Sequence, residues 1–165
     1  MIKKRKLKIP IFAMLLFCGT VLTVHAQEYK HIEKLFDVRT AITNQGKQLP
    51  DQIKQATGKD LRTLERIFEL NTSALTTIEA YFRLFKMAIS QESDPTESTV
   101  SILNEWLSFI KNQCTYDSKY LDEALMEVKN PQISEQLKTA KTNIDELSKT
   151  VELGIQENPS MATSS

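Results

Sequence analysis

The sequence predicts an all-α protein, an antiparallel helical bundle of three long helices plus a shorter N-terminal helix. No segment alternates apolar and polar residues as a half-buried strand does, and long stretches contain neither glycine nor proline. Within those stretches apolar residues recur at steps of three and four, which is the spacing of a seam between helices packed at a shallow angle. The connections between the stretches are short, which favours antiparallel neighbours.

The first helix is expected from about Glu28 to Gln45. Its apolar side is broad, and Gly46 is expected to end it because glycine commonly follows the last helical residue. Residues 46–59 are predicted to form a loop with one short helical turn. The bundle domain as a whole is assigned to residues 27–157, followed by a flexible polar tail over residues 158–165.

Three longer helices are predicted over residues 60–91, over residues 95–129 and from Pro131 onward. Asp94, Pro95 and Glu97 form a helix-start pattern, and Asn130 with Pro131 marks the next boundary. The apolar register of the first long helix includes Leu61, Leu64, Phe68, Leu75, Ile78, Phe82, Phe85 and Ile89. The register of the second includes Val100, Leu103, Leu107, Ile110, Cys114, Leu121, Ala124 and Val128.

Each of these two registers has one polar member, Asn71 in the first and Asp117 in the second. When residues 60–91 are folded back on residues 95–129, with Ile89 opposite Val100, the two polar members fall in one layer. An isolated inward polar side chain is costly, so their coincidence predicts a partnership. We expect a buried hydrogen bond between Asn71 and Asp117 that fixes the alignment of the two helices.

Residues 1–26 have the pattern of a cleaved secretory signal peptide. A basic segment at Lys3 to Lys8 precedes an apolar run, and small residues then lead to a cleavage site between Ala26 and Gln27. Two alternatives use the same residues, an uncleaved membrane anchor and a lipoprotein modified at Cys18. The preferred prediction is an exported protein with no stable membrane anchor after cleavage, located in the periplasm, on the cell surface or outside the cell.

Removal of this leader changes the charge of the chain. All five charged residues in positions 1–26 are basic, so the remaining 139 residues carry 16 basic and 21 acidic groups, a net charge of −5. A net acidic domain is a poor match for nucleic acid or for an anionic membrane, which both need a basic surface. A chain of this length fits one domain.

The remaining chain has no pattern of catalytic, cofactor-binding or metal-binding residues, so the protein is predicted not to be an enzyme and to hold no cofactor. His31 is the one histidine left after cleavage and is expected to be a solvated residue, since a metal site needs three or four ligands. Cys114 is the one remaining cysteine and lies in the inward register, where a thiol is usually inert. A disulfide between two chains would require an open helix face.

A second apolar stripe is the best indication of function. The helix that begins near residue 95 carries Trp106, Phe109 and Tyr116 on a side away from its seam, and the preceding helix has a second stripe as well. Residues 28–56 are expected to cover most of this surface. Because the first helix is short, some aromatic surface around Trp106, Phe109 and Tyr116 is left as a candidate interface with a partner.

The general layout of this chain resembles that of the VirB-type minor pilus subunits of type IV secretion systems, which form the pilus tip. The shared features are a leader that ends in Val24-His25-Ala26, a compact helical chain and a looped segment from Gly46 to Asp60. This resemblance implies a virulence-associated surface protein that contacts pilin or secretion-machinery subunits and a host or recipient cell, with its oligomeric state left open. The alternative is a soluble periplasmic binding protein that acts as a chaperone, an inhibitor or an immunity-type protein.

Overall fold

The computed structural model describes residues 29–91 and 97–158, which fold into four helices. They are α1 (Lys30–Gln55), α2 (Gly58–Gln91), α3 (Glu97–Glu127) and α4 (Pro131–Glu157). This part of the chain contains no strand, and the helices pack as a bundle, so the predicted all-α class is confirmed. The predicted leader, its cleavage site at Ala26 and Gln27, the helix-start pattern at Asp94 and Pro95, and residues 159–165 of the predicted tail lie outside the described residues.

The first helix is longer than predicted, and the loop expected over residues 46–59 is not formed. α1 continues through Gly46 and Pro50 to Gln55, and α2 begins at Gly58 after a connection of two residues. The reason is burial, because Leu49 extends the apolar side of α1 and is fully buried. Gly58 has the positive φ that a sharp connection between two helices needs, with a value of 60°.

α1 and α3 occupy opposite corners of the bundle. α1 packs against α2 and α4, α3 packs against the same two helices, and α2 also contacts α4. Among the described residues, α1 and α3 make no contact with each other. The covering of α3 by residues 28–56, which the sequence led us to expect, therefore does not occur.

Contacts between α2 and α3 pair the start of one helix with the end of the other. The Nζ atom of Lys59 lies 2.8 Å from Oε2 of Glu127. Farther along α2, the backbone oxygen of Thr77 accepts a hydrogen bond of 3.4 Å from Nε1 of Trp106. Trp106 therefore lies on the side of α3 that borders α2.

The predicted seam of α3 is the buried face of that helix, with Val100, Leu103, Leu107, Ile110, Cys114, Asp117 and Leu121 all buried. The prediction for α2 is less accurate. Phe68, expected in the seam, is 40 % exposed, whereas Ile67, Leu70, Ala74 and Tyr81 of the second stripe are buried. α2 presents this stripe to the core because both α1 and α4 pack against it.

α4 begins at the predicted boundary. Pro131 is its first residue, and the side-chain oxygen of Asn130 accepts a hydrogen bond of 3.0 Å from the backbone N–H of Gln132. This is the usual arrangement at a helix start, where a short polar side chain satisfies a free amide and proline has no amide to satisfy. The amide of Asn130 also donates to Asp60, which ties the start of α4 to the start of α2.

Candidate functional site

The outward side of α3 is the candidate site, and we define the α3 outer face as Ile102, Trp106, Phe109 and Tyr116. These residues are spaced by four, three and seven positions, so they fall along one side of the helix. Ile102 is 52 % exposed, Phe109 54 % and Tyr116 78 %. A monomeric protein has no structural need for exposed aromatic side chains at this spacing, and such surfaces mark contact sites with other molecules.

Trp106 differs from the other three residues because it is half-buried and anchored. Its indole nitrogen donates to the backbone oxygen of Thr77 on α2. Its ring lies 5.7 Å from the ring of Phe109, measured between centroids. Trp106 therefore contacts Phe109 and connects the exposed residues to the packed contact between α2 and α3.

The exposed part of this face carries an acidic side chain, because Glu105 is exposed and lies three positions after Ile102 and four before Phe109. Two charged residues, Lys111 and Asp117, lie between Trp106 and Ser118 in the sequence, and both are engaged elsewhere. Lys111 forms an ion pair of 3.0 Å with Glu152 of α4, and Asp117 is buried. The aromatic residues are also flanked by exposed uncharged groups such as Asn112 and Thr115, so this surface combines apolar, neutral polar and acidic groups.

The three residues predicted as a partner interface are thus placed on one helix side, with Phe109 and Tyr116 exposed and Trp106 half-buried. The arrangement offers aromatic surface for packing and hydroxyl and amide groups for hydrogen bonds. It provides no group positioned for acid–base or nucleophilic chemistry.

The predicted hydrogen bond between Asn71 and Asp117 is wrong, although both side chains are buried as expected. The amide nitrogen of Asn71 donates instead to Oε1 of Gln45 at 3.2 Å. Asn143 of α4 donates to the same oxygen at 3.1 Å, and the amide of Gln45 donates to the backbone oxygen of Gln136 at 2.8 Å. The reason is that α1 supplies a third polar residue to this layer, which a pairing of two helices does not include.

Asp117 does not take part in these amide hydrogen bonds, and its pKa is shifted by its burial. Loss of solvent raises the pKa of its carboxyl, and the more distant guanidinium of Arg66 opposes that effect. The residue therefore lies in the core of the bundle and is not part of the amide network around Gln45.

His31 is the second residue whose environment was predicted wrongly, since it is fully buried rather than solvated. Its Nδ1 atom lies 2.6 Å from Oε2 of Glu157, and its Nε2 atom lies 2.9 Å from the hydroxyl of Tyr81. Burial lowers the pKa of His31, although the neighbouring Glu157 acts in the opposite direction. The sequence gives no local sign of this cluster, because its members are separated by 50 and 126 positions.

Cys114 is 2 % exposed, in agreement with its inward position in the predicted register. Burial, together with the nearby carboxyl of Asp117, raises the pKa of its thiol to about 12. A thiol in that state is protonated and unreactive at neutral pH.

Elsewhere, residues 29–91 and 97–158 present an open cleft but no cluster of metal-binding side chains. These residues contain no group of three or more histidine, cysteine or acidic side chains placed to hold a metal ion. An open cleft of about 570 Å³ lies between the start of α2 and the end of α3, and the ion pair of Lys59 with Glu127 is part of its lining. In the described part of the chain, no helix combines the length and the apolar character needed to span a bilayer.

Comparisons with known proteins yield no match to this chain among protein-family models, curated proteins or solved structures. The class that the fold and the site define is a helical bundle with an exposed aromatic face on one helix.

Proposed function

We propose that this protein is an exported, non-enzymatic interaction protein that binds another protein through the α3 outer face. The exposure of Phe109 and Tyr116 carries the proposal, since the bundle core is complete without them and α1 lies at the opposite corner. Tyrosine and tryptophan are typical anchors of protein interfaces because they combine a large apolar area with a polar group.

The proposed scaffold for this face is an antiparallel four-helix bundle. The contacts of Lys59 with Glu127 and of Trp106 with Thr77 support that order for α2 and α3. A rigid helix holds its outward side chains at fixed spacing, so a partner meets a preformed surface and little side-chain entropy is lost on binding.

The setting that we propose is a surface assembly of the type IV secretion kind, with this protein as a minor pilus component. The support is the export signal predicted for residues 1–26 and the layout-level resemblance to pilus-tip subunits. In that setting the partner of the α3 outer face is a pilin or another secretion-machinery subunit, and a host or recipient cell surface is contacted by the assembled tip.

Cell fractionation with face variants tests this proposal. The double variant Phe109→Ala, Tyr116→Ala removes most of the exposed aromatic surface and should fold normally, because neither residue belongs to the core. We expect the wild-type protein in sheared surface pili and the double variant in the soluble periplasmic fraction. The matched control is Met126→Ala, which alters a residue of the same helix that is 80 % exposed. The control should fractionate like the wild type.

Two results would contradict the proposal. Recovery of the wild-type protein only as a soluble periplasmic monomer would favour the alternative function, a periplasmic binding protein. Recovery of the double variant in surface pili at the wild-type level would show that the α3 outer face is not the assembly interface. Genes for a secretion ATPase and inner-membrane channel proteins next to the gene for this chain would give independent support.

A further inference from the structure

His31 lies where three helices meet, and its contacts join the start of α1 to the end of α4. Oε2 of Glu157 accepts from the backbone N–H of His31 at 3.1 Å as well as from the ring. The same carboxylate therefore satisfies a free amide in the first turn of α1 and holds the imidazole in place. On the other side of the ring, the hydroxyl of Tyr81 connects His31 to α2.

The protonation state of the closed cluster follows from its partners. An ionised carboxylate accepts hydrogen bonds and donates none, so Nδ1 of His31 carries the hydrogen that faces Glu157. In the neutral ring, Nε2 is then an acceptor and the hydroxyl of Tyr81 is the donor to it. Both ring nitrogens are satisfied in this arrangement without any positive charge.

A second proton on the ring disturbs this arrangement. It places a hydrogen on Nε2, opposite the hydrogen of the Tyr81 hydroxyl, and the hydroxyl must then turn away. Glu157 pairs with the new charge, but Tyr81 and His31 are both 0 % exposed, so the ring also loses its solvation. That loss outweighs the attraction of Glu157 and lowers the pKa of His31. The protonated ring is consequently favoured in an open state and the neutral ring in the closed state.

The packing around the ring makes the closed state compact. Gly154 of α4 lies against the imidazole, because a Cβ atom at that position would be 2.9 Å from Cδ2 of His31. The ring of Phe85 contacts the imidazole edge to face, with centroids 5.8 Å apart. The contacts of Gly154 and Phe85 with the imidazole are lost when the start of α1 moves away from the end of α4.

Within residues 29–91 and 97–158, three titratable groups face the ring. Glu157 faces it from α4, Tyr81 faces it from α2, and the phenol of Tyr29 lies with its ring centroid 6.1 Å away. From α3, the neighbouring groups at this end are uncharged, with Leu107 beside Gly154 and Asn104 bonded to Asn158. Glu157 is thus the charged partner that the described structure places against His31.

We propose that His31, Glu157 and Tyr81 form a pH-sensitive latch, which holds the first turn of α1 on the end of α4 and opens when His31 takes up a proton. Because burial lowers the pKa of His31 in the closed state, the latch is fully effective above the ordinary histidine pKa of 6.5. Its contribution is lost as the pH falls below that value.

Hydrogen exchange of the whole protein tests the latch, with the protection factor of the His31 amide as the readout. Between pH 7.5 and pH 5.0, we expect this factor, corrected for intrinsic exchange, to fall, because His31 takes up a proton more readily in the open state than in the closed state. Opening of the latch is local, so at both pH values the His31 amide should exchange faster than the Ile144 amide in the core of α4. Equal protection of these two amides would overturn the proposal, because it would mean that only global unfolding exposes His31.

The matched variant is His31→Asn, which keeps an N–H group toward Glu157 but does not titrate. We expect its protection factor at position 31 to be the same at the two pH values. A wild-type factor that does not change, or an equal fall in His31→Asn, would overturn the proposal. As a measurement that needs no variant, a nitrogen NMR titration of the His31 ring in the wild-type protein should give a midpoint below 6.5. A midpoint at or above that value would also overturn the latch.

Discussion

Gly154 is the residue at which the smallest change should have the largest effect. A methyl group there would lie 2.9 Å from Cδ2 of His31 and 3.0 Å from Cδ1 of Leu107, both of which are held in buried surroundings. Overpacking of this kind costs about 1–3 kcal/mol. Alanine is also favoured over glycine inside a helix by about 0.5–1 kcal/mol, so we expect Gly154→Ala to lower the free energy of unfolding by up to about 2 kcal/mol, measured by urea denaturation.

Gly46→Ala is the matched control for this prediction, since Gly46 also lies inside a helix but has no atom within 4 Å of a built Cβ. Alanine restricts the unfolded chain more than glycine does, so this variant should gain about 0.5–1 kcal/mol. The steric account of Gly154 fails if the two variants have equal stabilities.

Asp117 is expected to limit the stability of the protein at neutral pH. Its pKa is raised by burial, so the unfolded chain gives up this proton more readily than the folded chain. The stability that Asp117 contributes is therefore present at low pH and lost as the pH rises through its range. Asp117→Asn should raise the free energy of unfolding more at pH 7 than at pH 3, measured by urea denaturation at both values. An equal effect at the two pH values would contradict the assigned cause.

For single residues, the sequence predicts burial better than it predicts hydrogen-bond partners. The heptad register places Asn71, Cys114 and Asp117 in the interior, and all three are buried. It does not identify Gln45 as the partner of Asn71, because the choice among several polar side chains in a layer depends on which helices meet there. Nor does it show that His31 is buried, since Glu157 and Tyr81 reach it from distant parts of the sequence.

α1 shows why a helix boundary is difficult to predict from local residues. Gly46 and Pro50 are both helix-breaking residues, yet the helix continues through them. A proline lacks the N–H that would bond to the residue four positions earlier, and its ring crowds that residue. Here that residue is Gly46, whose backbone oxygen is left without its helical partner, and the burial of Leu49 favours the continued helix. Tertiary packing outweighs the local preference.

Pro50→Ala tests this explanation. The substitution restores the hydrogen bond to the backbone oxygen of Gly46 and removes the ring from an exposed position. Because proline in a helix interior costs about 3 kcal/mol relative to alanine, we expect a gain of roughly 1–3 kcal/mol in the free energy of unfolding. Urea denaturation measures it, and the far-ultraviolet circular dichroism should stay unchanged. A loss of stability would show that Pro50 is preferred by its surroundings.

For the whole molecule, the placement of α1 and α3 at opposite corners decides which apolar stripes are covered. Most of the second stripe of α2 is buried, from Ile67 to Tyr81, where α1 and α4 pack on this helix. The α3 outer face has no helix over it among the described residues. The sequence reveals both stripes but not which of them α1 covers, because that depends on the direction in which the chain turns after Gln55. The candidate interface could therefore be identified from the sequence as surplus apolar surface, while its exposure becomes visible only in the assembled bundle.

Cys114 lies in the common core, and its reactivity should therefore report on the cooperativity of the whole bundle. Its thiol is 2 % exposed, and burial raises its pKa to about 12, so the folded protein should not react with a disulfide reagent such as DTNB at pH 8. In the unfolded chain the thiol has its ordinary pKa of about 8.5 and reacts readily. We expect the modification of Cys114, followed by peptide mass spectrometry, to increase with urea along the same curve as the loss of helical circular dichroism. Modification well before that transition would show that α3 or α4 detaches separately from a bundle that otherwise remains folded.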